Sequence, residues 1–298
     1  MRKHFILTTL LLTLSFSIWA QLPTSNIYLF DVSKHPSGRV ILSKPKFLTR
    51  FNPTGYNNQP YFMNDDELYL TVQFPWDTTQ TDIYSLSLKD NTFLQVTNTK
   101  ESEYSPKKVP GTPNFSVVRV DATPKKTQRL WEYPLNRSNQ GVETFKNIQN
   151  VGYYNWITGS NVALFLVGEN KAPNAMVLAT VSTENTVSYP KPPGRTFQTL
   201  PNGQIAYVSK ETDDDWFIRL LNPRDYSSVQ LAPAHQNSED FVILADGTIL
   251  MGRGSKLYQF RPKIDENWVE ATDLRRLGIK KIERLTVNNR NQLAMVVK

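Results

Sequence analysis

The residues of this sequence that could do chemistry are carboxylates, guanidiniums and aromatic rings rather than thiols or imidazoles. The chain of 298 residues has no cysteine and only three histidines, His4, His35 and His235. The absence of cysteine excludes disulfides, thiol catalysis and cysteine-ligated metals. Neither a Gly-x-Ser-x-Gly nor a His-Glu-x-x-His motif occurs, and residues 252–256 lack the spacing of a phosphate-binding loop. We therefore predict no catalytic residue, metal or cofactor from motifs.

Charged and aromatic groups that could bind a ligand recur at regular intervals. Counting back seven or eight residues from each of six turn segments reaches a polar or charged side chain in five cases. The predicted binding residues at this level are Asn58, Glu103, Tyr104, Arg195, Glu239 and Asp240, and Tyr153 and Arg284 lie immediately beside it. Their rings could stack on a ligand while the charges orient it. Alternatively, a carboxylate pair such as Glu103 with Glu239 could perform acid–base chemistry on a lactone or uronate.

The elements that must position these residues come from a repeat of roughly 45 residues. The turn segments are marked by Asp65, Gly111, Gly159, Gly203, Gly247 and Arg290, which are 46, 48, 44, 44 and 43 residues apart. A strongly apolar strand follows each turn, and in most repeats a third strand with bulky aromatic residues comes next. Four strands in a unit of this length predict a propeller blade.

We predict an all-β fold, a six-bladed β-propeller of four-stranded antiparallel blades that occupies residues 21–298. The first five blades are expected at about 57–98, 102–145, 149–190, 194–232 and 237–272. The sixth is expected to combine 279–298 with 25–50, because joining the N- and C-terminal strands removes two exposed sheet edges. A β-sandwich is the alternative, but it does not explain the period. The inner strands of a propeller surround an axial channel, so the predicted binding residues would meet at its mouth.

Residues 1–20 have the features of a secretory signal peptide. Arg2 and Lys3 precede an uncharged, largely apolar stretch that ends near Ala20. That stretch of about 15 residues is shorter than the roughly 20 that a membrane-spanning helix needs. Removal of Arg2 and Lys3 would change the net charge from +7 to +5, with 32 basic and 27 acidic residues. We predict a periplasmic or secreted monomer without stable membrane insertion after cleavage.

Two charge patterns could mark further binding sites. Basic pairs such as Lys107-Lys108 and Arg275-Arg276 are scattered over different blades, and export removes the usual nucleic acid partner, so no nucleic acid binding is predicted. The acidic run 211–215 is expected on a loop of blade four. It lacks the alternating ligands and glycine of an EF-hand, so a Ca²⁺ ion there is unsupported.

Several stretches resemble the TolB-type, WD-like propeller repeat. They are residues 55–66 with the turn Asn64-Asp65-Asp66, residues 102–106, and residues 244–250 with the turn Ala245-Asp246-Gly247. The resemblance covers nearly all of 21–298 but not the α/β domain of TolB, since strands are expected within a few residues of Gln21. It implies a secreted or periplasmic propeller that binds a protein or peptide at its channel.

The function we expect is that of an exported, non-enzymatic binding protein for an envelope protein, peptide or glycan. One alternative is a secreted hydrolase or lyase that acts on a lactone or uronate with axial carboxylates, with or without a divalent cation. The other is a structural subunit of an envelope complex. Fold by itself does not choose among these classes.

Overall fold

The computed structural model describes residues 22–189, 191–235 and 238–298. The predicted signal peptide, residues 1–20, and the predicted blade limits at 190 and 237 lie outside these ranges. Within them, 24 strands form six four-stranded sheets whose paired strands are all antiparallel. The one helical segment among the described residues is a 3₁₀ turn, Arg275–Leu277. No helix in the three ranges has the length and apolar character needed to cross a bilayer.

The first fourteen strands supply half of one blade and three complete blades. Strands β1 (Asn26–Lys34) and β2 (Val40–Phe47) belong to the blade that closes the ring. Blade one contains β3 (Tyr56–Asn64), β4 (Glu67–Gln73), β5 (Asp82–Ser87) and β6 (Phe93–Gln95). Blade two contains β7 (Ser102–Lys108), β8 (Asn114–Val120), β9 (Gln128–Pro134) and β10 (Val142–Glu143). Blade three contains β11 (Val151–Thr158), β12 (Asn161–Leu166), β13 (Ala175–Thr180) and β14 (Thr186–Tyr189).

The remaining strands complete the ring. Blade four contains β15 (Pro193–Thr199), β16 (Ile205–Lys210), β17 (Trp216–Leu221) and β18 (Ser228–Pro233). Blade five contains β19 (Phe241–Ile243), β20 (Ile249–Arg253), β21 (Lys256–Phe260) and β22 (Val269–Asp273). Blade six joins both ends of the chain in the order β2-β1-β24-β23, with β23 (Ile282–Val287) and β24 (Gln292–Val297). The six-bladed propeller with this closure, predicted from the repeat, is confirmed.

The turn that follows the inner strand explains the glycine in three of the four repeats whose turn marker is glycine. Gly111, Gly203 and Gly247 have φ of +73°, +83° and +86°, in the left-handed region that only glycine adopts without steric cost. Each lies between the first and second strands of its blade. The turn reverses the chain so that the apolar second strand pairs back onto the first.

The apolar core is divided among the junctions between blades. The described residues form six buried clusters, and each cluster joins two neighbouring blades. At the junction of blade six with blade one, for example, Ile27 and Val296 pack with Leu68 and Leu70. A strand buried between two sheets is apolar on both faces, which accounts for the continuous apolar runs that follow the turns. The inner edges of the blades are thereby held at a fixed spacing around the axis.

Candidate functional site

The first strands of all six blades surround a cavity of about 380 Å³ on the axis of the ring. Its lining includes residues of β3, β7, β11, β15, β19 and β23. The charged residues among those described there are Lys107, Lys108, Arg195, Asp240 and Arg284. Four cations therefore line the cavity against one carboxylate.

Asp240 of blade five contacts side chains of blades four and six at one side of the cavity. Its Oδ2 accepts hydrogen bonds from Arg195 Nε, at 2.8 Å, and from Arg195 Nη2, while its Oδ1 accepts one from the Thr196 hydroxyl at 2.9 Å. Arg284 Nη1 lies 3.6 Å from Asp240 Oδ1. Arg195 Nη2 also donates to the backbone oxygen of Glu283 at 3.3 Å. Two guanidiniums thus share one carboxylate, which leaves this wall with a net positive charge.

Arg284 reaches from blade six to an aromatic ring of blade three. Its guanidinium carbon lies 5.0 Å from the ring centroid of Tyr153, and Nη2 donates to the Tyr153 hydroxyl at 3.2 Å. The ring of Tyr153 is itself held edge-on against Phe165, with centroids 5.5 Å apart. A guanidinium over an aromatic face is stabilised by the ring quadrupole without losing its charge. Arg284 is therefore positioned in advance for an anionic ligand.

Lys107 begins a hydrogen-bonded row that runs across blades two, three and four. Lys107 Nζ donates to Asn155 Oδ1 at 2.8 Å, and Asn155 Nδ2 donates to Thr199 Oγ1 at 2.7 Å. The ammonium also lies 5.5 Å from the ring centroid of Tyr61. Burial lowers the pKa of Lys107 to about 8, and the positive charge of Arg284 acts in the same direction. The Lys107 ammonium is therefore charged at neutral pH but titrates close to it.

Two strained backbone positions aim side chains at the axis. Gln59 and Ser105 have φ of +52° and +55°, and each precedes a proline, Pro60 or Pro106. Bulges interrupt the pairing of β3 with β4 and of β7 with β8 at these points. A bulge adds a residue to one strand and so re-aims the side chains that follow it. Gln59 and Lys107 consequently line the cavity.

The cavity contains half of the binding residues predicted from the sequence. Tyr153, Arg195, Asp240 and Arg284 line it. The other four, Asn58, Glu103, Tyr104 and Glu239, are not among its lining residues. Asn58 is buried beside Ser25, and Tyr104 packs against the cluster between blades two and three.

Glu103 lies in the junction between blades one and two rather than on the axis. Its carboxylate oxygens accept hydrogen bonds from the hydroxyls of Thr99, of Thr97 at 3.2 Å and of Tyr133 at 3.3 Å. Burial raises the pKa of Glu103 to about 7, and the nearby Asp82 carboxylate acts in the same direction, although Thr99 opposes them. A fully buried carboxyl held in this way supports packing rather than contact with a ligand.

Glu239 lies beside the cavity and forms contacts with blade four. Its Oε2 accepts a hydrogen bond from the backbone nitrogen of Arg195 at 3.0 Å, and its Oε1 accepts one from Lys210 Nζ. Glu239 therefore helps to hold Arg195, which lines the axial cavity. The Glu103–Glu239 pair considered for acid–base chemistry is divided between a blade junction and this ion pair.

The cavity residues that the sequence analysis did not predict lie at a different number of residues before the turns. Four residues before the turn markers stand Tyr61, Lys107, Asn155, Thr199, Ile243 and Thr286. All of these except Ile243 line the cavity. A count of four therefore locates the interior of the channel, whereas the count of seven or eight locates the beginning of each inner strand. Lys107 in this row belongs to the Lys107-Lys108 pair, one of the scattered basic pairs for which no nucleic acid binding is predicted.

The acidic run 211–215 lies on the loop between β16 and β17, within blade four. Glu211 accepts a hydrogen bond from the Ser209 hydroxyl at 2.9 Å and lies 3.6 Å from Arg219 Nη1. Asp215 accepts one from the Thr212 hydroxyl at 3.1 Å. Across residues 22–189, 191–235 and 238–298, no group of three or more histidine and carboxylate side chains is placed to hold a metal ion.

Comparison with known proteins finds similarity in structure only. No protein-family model matches the chain, and no curated protein sequence matches it. A protein described as "putative TolB from Agrobacterium tumefaciens" is 10% identical with a TM-score of 0.64, over 92% of this chain and 97% of that one. A "putative gluconolactonase" is 10% identical with a TM-score of 0.57, over 90% of this chain and 97% of that one. A puromycin-hydrolyzing peptidase of Mycobacterium tuberculosis is 13% identical with a TM-score of 0.53, over 81% of this chain but only 43% of that one.

These similarities agree with the fold described above, a six-bladed β-propeller, and show nothing beyond the fold. The three proteins carry names that imply three different functions, although each contains the same architecture. A fold shared at such low identity therefore does not specify the function, which depends on the chemistry of the cavity.

Proposed function

We propose that this chain is an exported binding protein whose axial cavity holds an acidic segment of an envelope protein or peptide. Export is inferred from the signal-peptide pattern of residues 1–20. The observation that carries the binding function is the charge of the cavity. Lys107, Lys108, Arg195 and Arg284 line it, and Asp240 is the single described carboxylate among them.

The chemistry of the cavity lining favours a peptide over a neutral glycan. Guanidinium groups bind carboxylates through paired, charge-assisted hydrogen bonds, which neutral sugar hydroxyls cannot match. The cavity also presents the row Lys107, Asn155 and Thr199, whose amide and hydroxyl groups can both donate to and accept from a peptide backbone. A cavity of about 380 Å³ is in the usual range for small-ligand sites, so it would hold a short stretch of side chains.

The first test reverses the charge of Arg284. We expect a random peptide library to yield acidic peptides that bind the wild-type protein. An Arg284→Glu variant should bind them at least about tenfold more weakly, because a carboxylate replaces a positioned cation. Fluorescence polarisation with a labelled selected peptide measures the affinity. Arg284→Gln, which removes the charge without reversing it, should give an intermediate loss.

Arg276→Glu is the matched control, since Arg276 is exposed in the 3₁₀ turn and is absent from the cavity lining. It changes the total charge by the same amount and should leave affinity unchanged. Circular dichroism verifies that each variant is folded. Selection of neutral or basic peptides, or equal losses for Arg284→Glu and Arg276→Glu, would refute the proposed binding mode.

The affinity for an acidic peptide should also depend on pH through Lys107. Its pKa of about 8 means that the ammonium loses its proton as the pH rises through that value. We expect affinity to fall between about pH 7 and about pH 9, since a neutral amine no longer attracts a carboxylate. A Lys107→Arg variant should remove this fall, because a guanidinium stays protonated over the whole range. An equal pH dependence in both proteins would mean that Lys107 does not contact the ligand.

A further inference from the structure

A second cavity, of about 250 Å³, lies outside the channel on blade one. Its polar lining residues are Gln73, Asp77, Gln80, Asp82, Gln95 and Asn98. Its aromatic lining residues are Phe74, Trp76 and Tyr84. Neither lysine nor arginine occurs among the described residues that line it. This cavity, which we name the Trp76 pocket, is therefore chemically unlike the axial one.

The Trp76 pocket opens at the same end of the ring as the mouth of the channel. Gln73, the last residue of β4, pairs with Tyr56, the first residue of β3. The loop 74–81 that follows Gln73 therefore lies at the end where the inner strands begin. Arg195 and Asp240 lie near the beginning of β15 and β19 at that end.

Trp76 presents a flat aromatic surface to solvent. Trp76 is 76% exposed, the largest value among the exposed large hydrophobic residues of the described chain. One face of the indole stacks on Phe74, with centroids 4.5 Å apart and an interplanar angle of 20°. Phe74 is held in turn by an edge contact with Tyr84, with centroids 5.6 Å apart. A large aromatic side chain that is held in place yet exposed is typical of a recognition surface.

Amide side chains are fixed beside this surface. Gln80 Nε2 and Gln95 Nε2 donate to Asp82 Oδ2 at 3.3 and 3.1 Å. Gln73 Nε2 donates to the backbone oxygen of Gln80 at 3.2 Å. A primary amide has a second N–H and a carbonyl oxygen, so each can bind a ligand while it keeps its contact within the protein. Their orientation is set before a ligand arrives, which reduces the entropy cost of binding.

We propose that the Trp76 pocket binds a neutral saccharide. The C–H face of one sugar ring stacks on the indole of Trp76, and its hydroxyls exchange hydrogen bonds with the amides of Gln80, Gln95 and Asn98. An anionic ligand would find two carboxylates and no cation in the lining. A quaternary ammonium ligand needs rings on several sides, whereas Phe74 and Trp76 stack on each other and leave a single free face.

The test is affinity electrophoresis of the full chain in gels that contain one neutral polysaccharide each, namely starch, laminarin, xylan, mannan or galactan. We expect at least one of them to retard the wild-type protein. Trp76→Ala should weaken that binding at least about tenfold, because the stacking surface is lost. Trp76→Phe should retain part of it, and Gln95→Ala should weaken it. Since Trp76 is mostly exposed, its replacement is not expected to affect folding.

Tyr226→Ala is the matched control, because Tyr226 is an exposed aromatic residue of blade four. It should bind like the wild type, as should Arg284→Glu, which alters only the channel. Retardation by none of the five polysaccharides would overturn the proposal, as would equal binding by Trp76→Ala. Quenching of tryptophan fluorescence by choline chloride that disappears in Trp76→Ala would instead assign the pocket to a cation.

Discussion

Replacement of Glu103 by glutamine is expected to stabilise the folded ring at pH 8 and to have little effect near pH 5. The carboxyl is fully buried, and its pKa is about 7 in the folded protein but near the ordinary glutamate value once unfolded. A raised pKa means that the folded state binds the proton more tightly. The stability that this tighter proton binding contributes is present below the pKa of the unfolded state. It is lost as the pH rises from that value through the folded-state pKa of about 7. The expected loss for the wild type between about pH 4.5 and about pH 8 is about 2–3 kcal/mol.

Glutamine removes this loss because its neutral amide never ionises. It can also donate to the Asp82 carboxylate, beside which the Glu103 carboxyl lies. Urea unfolding at pH 5 and pH 8 measures the free energy of unfolding of both proteins. Glu266→Gln, at an exposed position, makes the same charge change and should leave the wild-type pH dependence intact. A Glu103→Gln protein that loses stability with pH as steeply as the wild type would show that Glu103 is not the group responsible.

Ile27→Asp is expected to prevent closure of the ring. Ile27 is 0% exposed on β1 and packs with Leu68 and Leu70 of blade one, so an aspartate there would be a buried charge without a partner. The expected cost is about 4 kcal/mol or more, a large part of the stability of an ordinary domain. Because β1 pairs with β24, loss of this strand would separate the two ends of the chain. Urea unfolding and limited proteolysis measure the effect.

Ile41→Asp provides the comparison within the same blade. Ile41 lies on β2 and is 36% exposed, so the same substitution should change the free energy of unfolding by only about 0.5 kcal/mol. If Ile27→Asp does not fold at all, the milder Ile27→Val should still unfold at lower urea, with a cost of about 0.5–1.5 kcal/mol. Equal stability of the Ile27→Asp and Ile41→Asp proteins would mean that the closing strand contributes little to the ring.

The fold could be predicted from the sequence because each repeat leaves two apolar faces that only another repeat can cover. The constant spacing of the turns fixed the number of blades, and the incomplete repeats at the two ends indicated that they share one blade. The apolar runs after the turns correspond to second strands that are buried between neighbouring sheets, such as β12 and β16. These features depend on local pattern alone.

The direction of each inner side chain could not be predicted in the same way. A shift of one residue turns a strand side chain from one face to the other, and the inner strands carry bulges at different positions. Glu103 therefore points into a blade junction although it occupies the level of Arg195 in the repeat. Lys107, beyond the bulge of β7, points into the channel. Nothing in the pattern of polar residues distinguishes these two outcomes.

The sequence by itself determined the ring, its six blades and the blade that both ends of the chain share. The reason is that the repeat and the buried strands can be recognised from short stretches of sequence. Only the tertiary structure decided which charges share a cavity, since Arg195, Asp240 and Arg284 come from three blades and meet through the curvature of the whole ring. The Trp76 pocket is a tertiary feature for the same reason. It needs the loop 74–81 to fold back over β5 and β6, a contact between segments whose spacing follows no repeat.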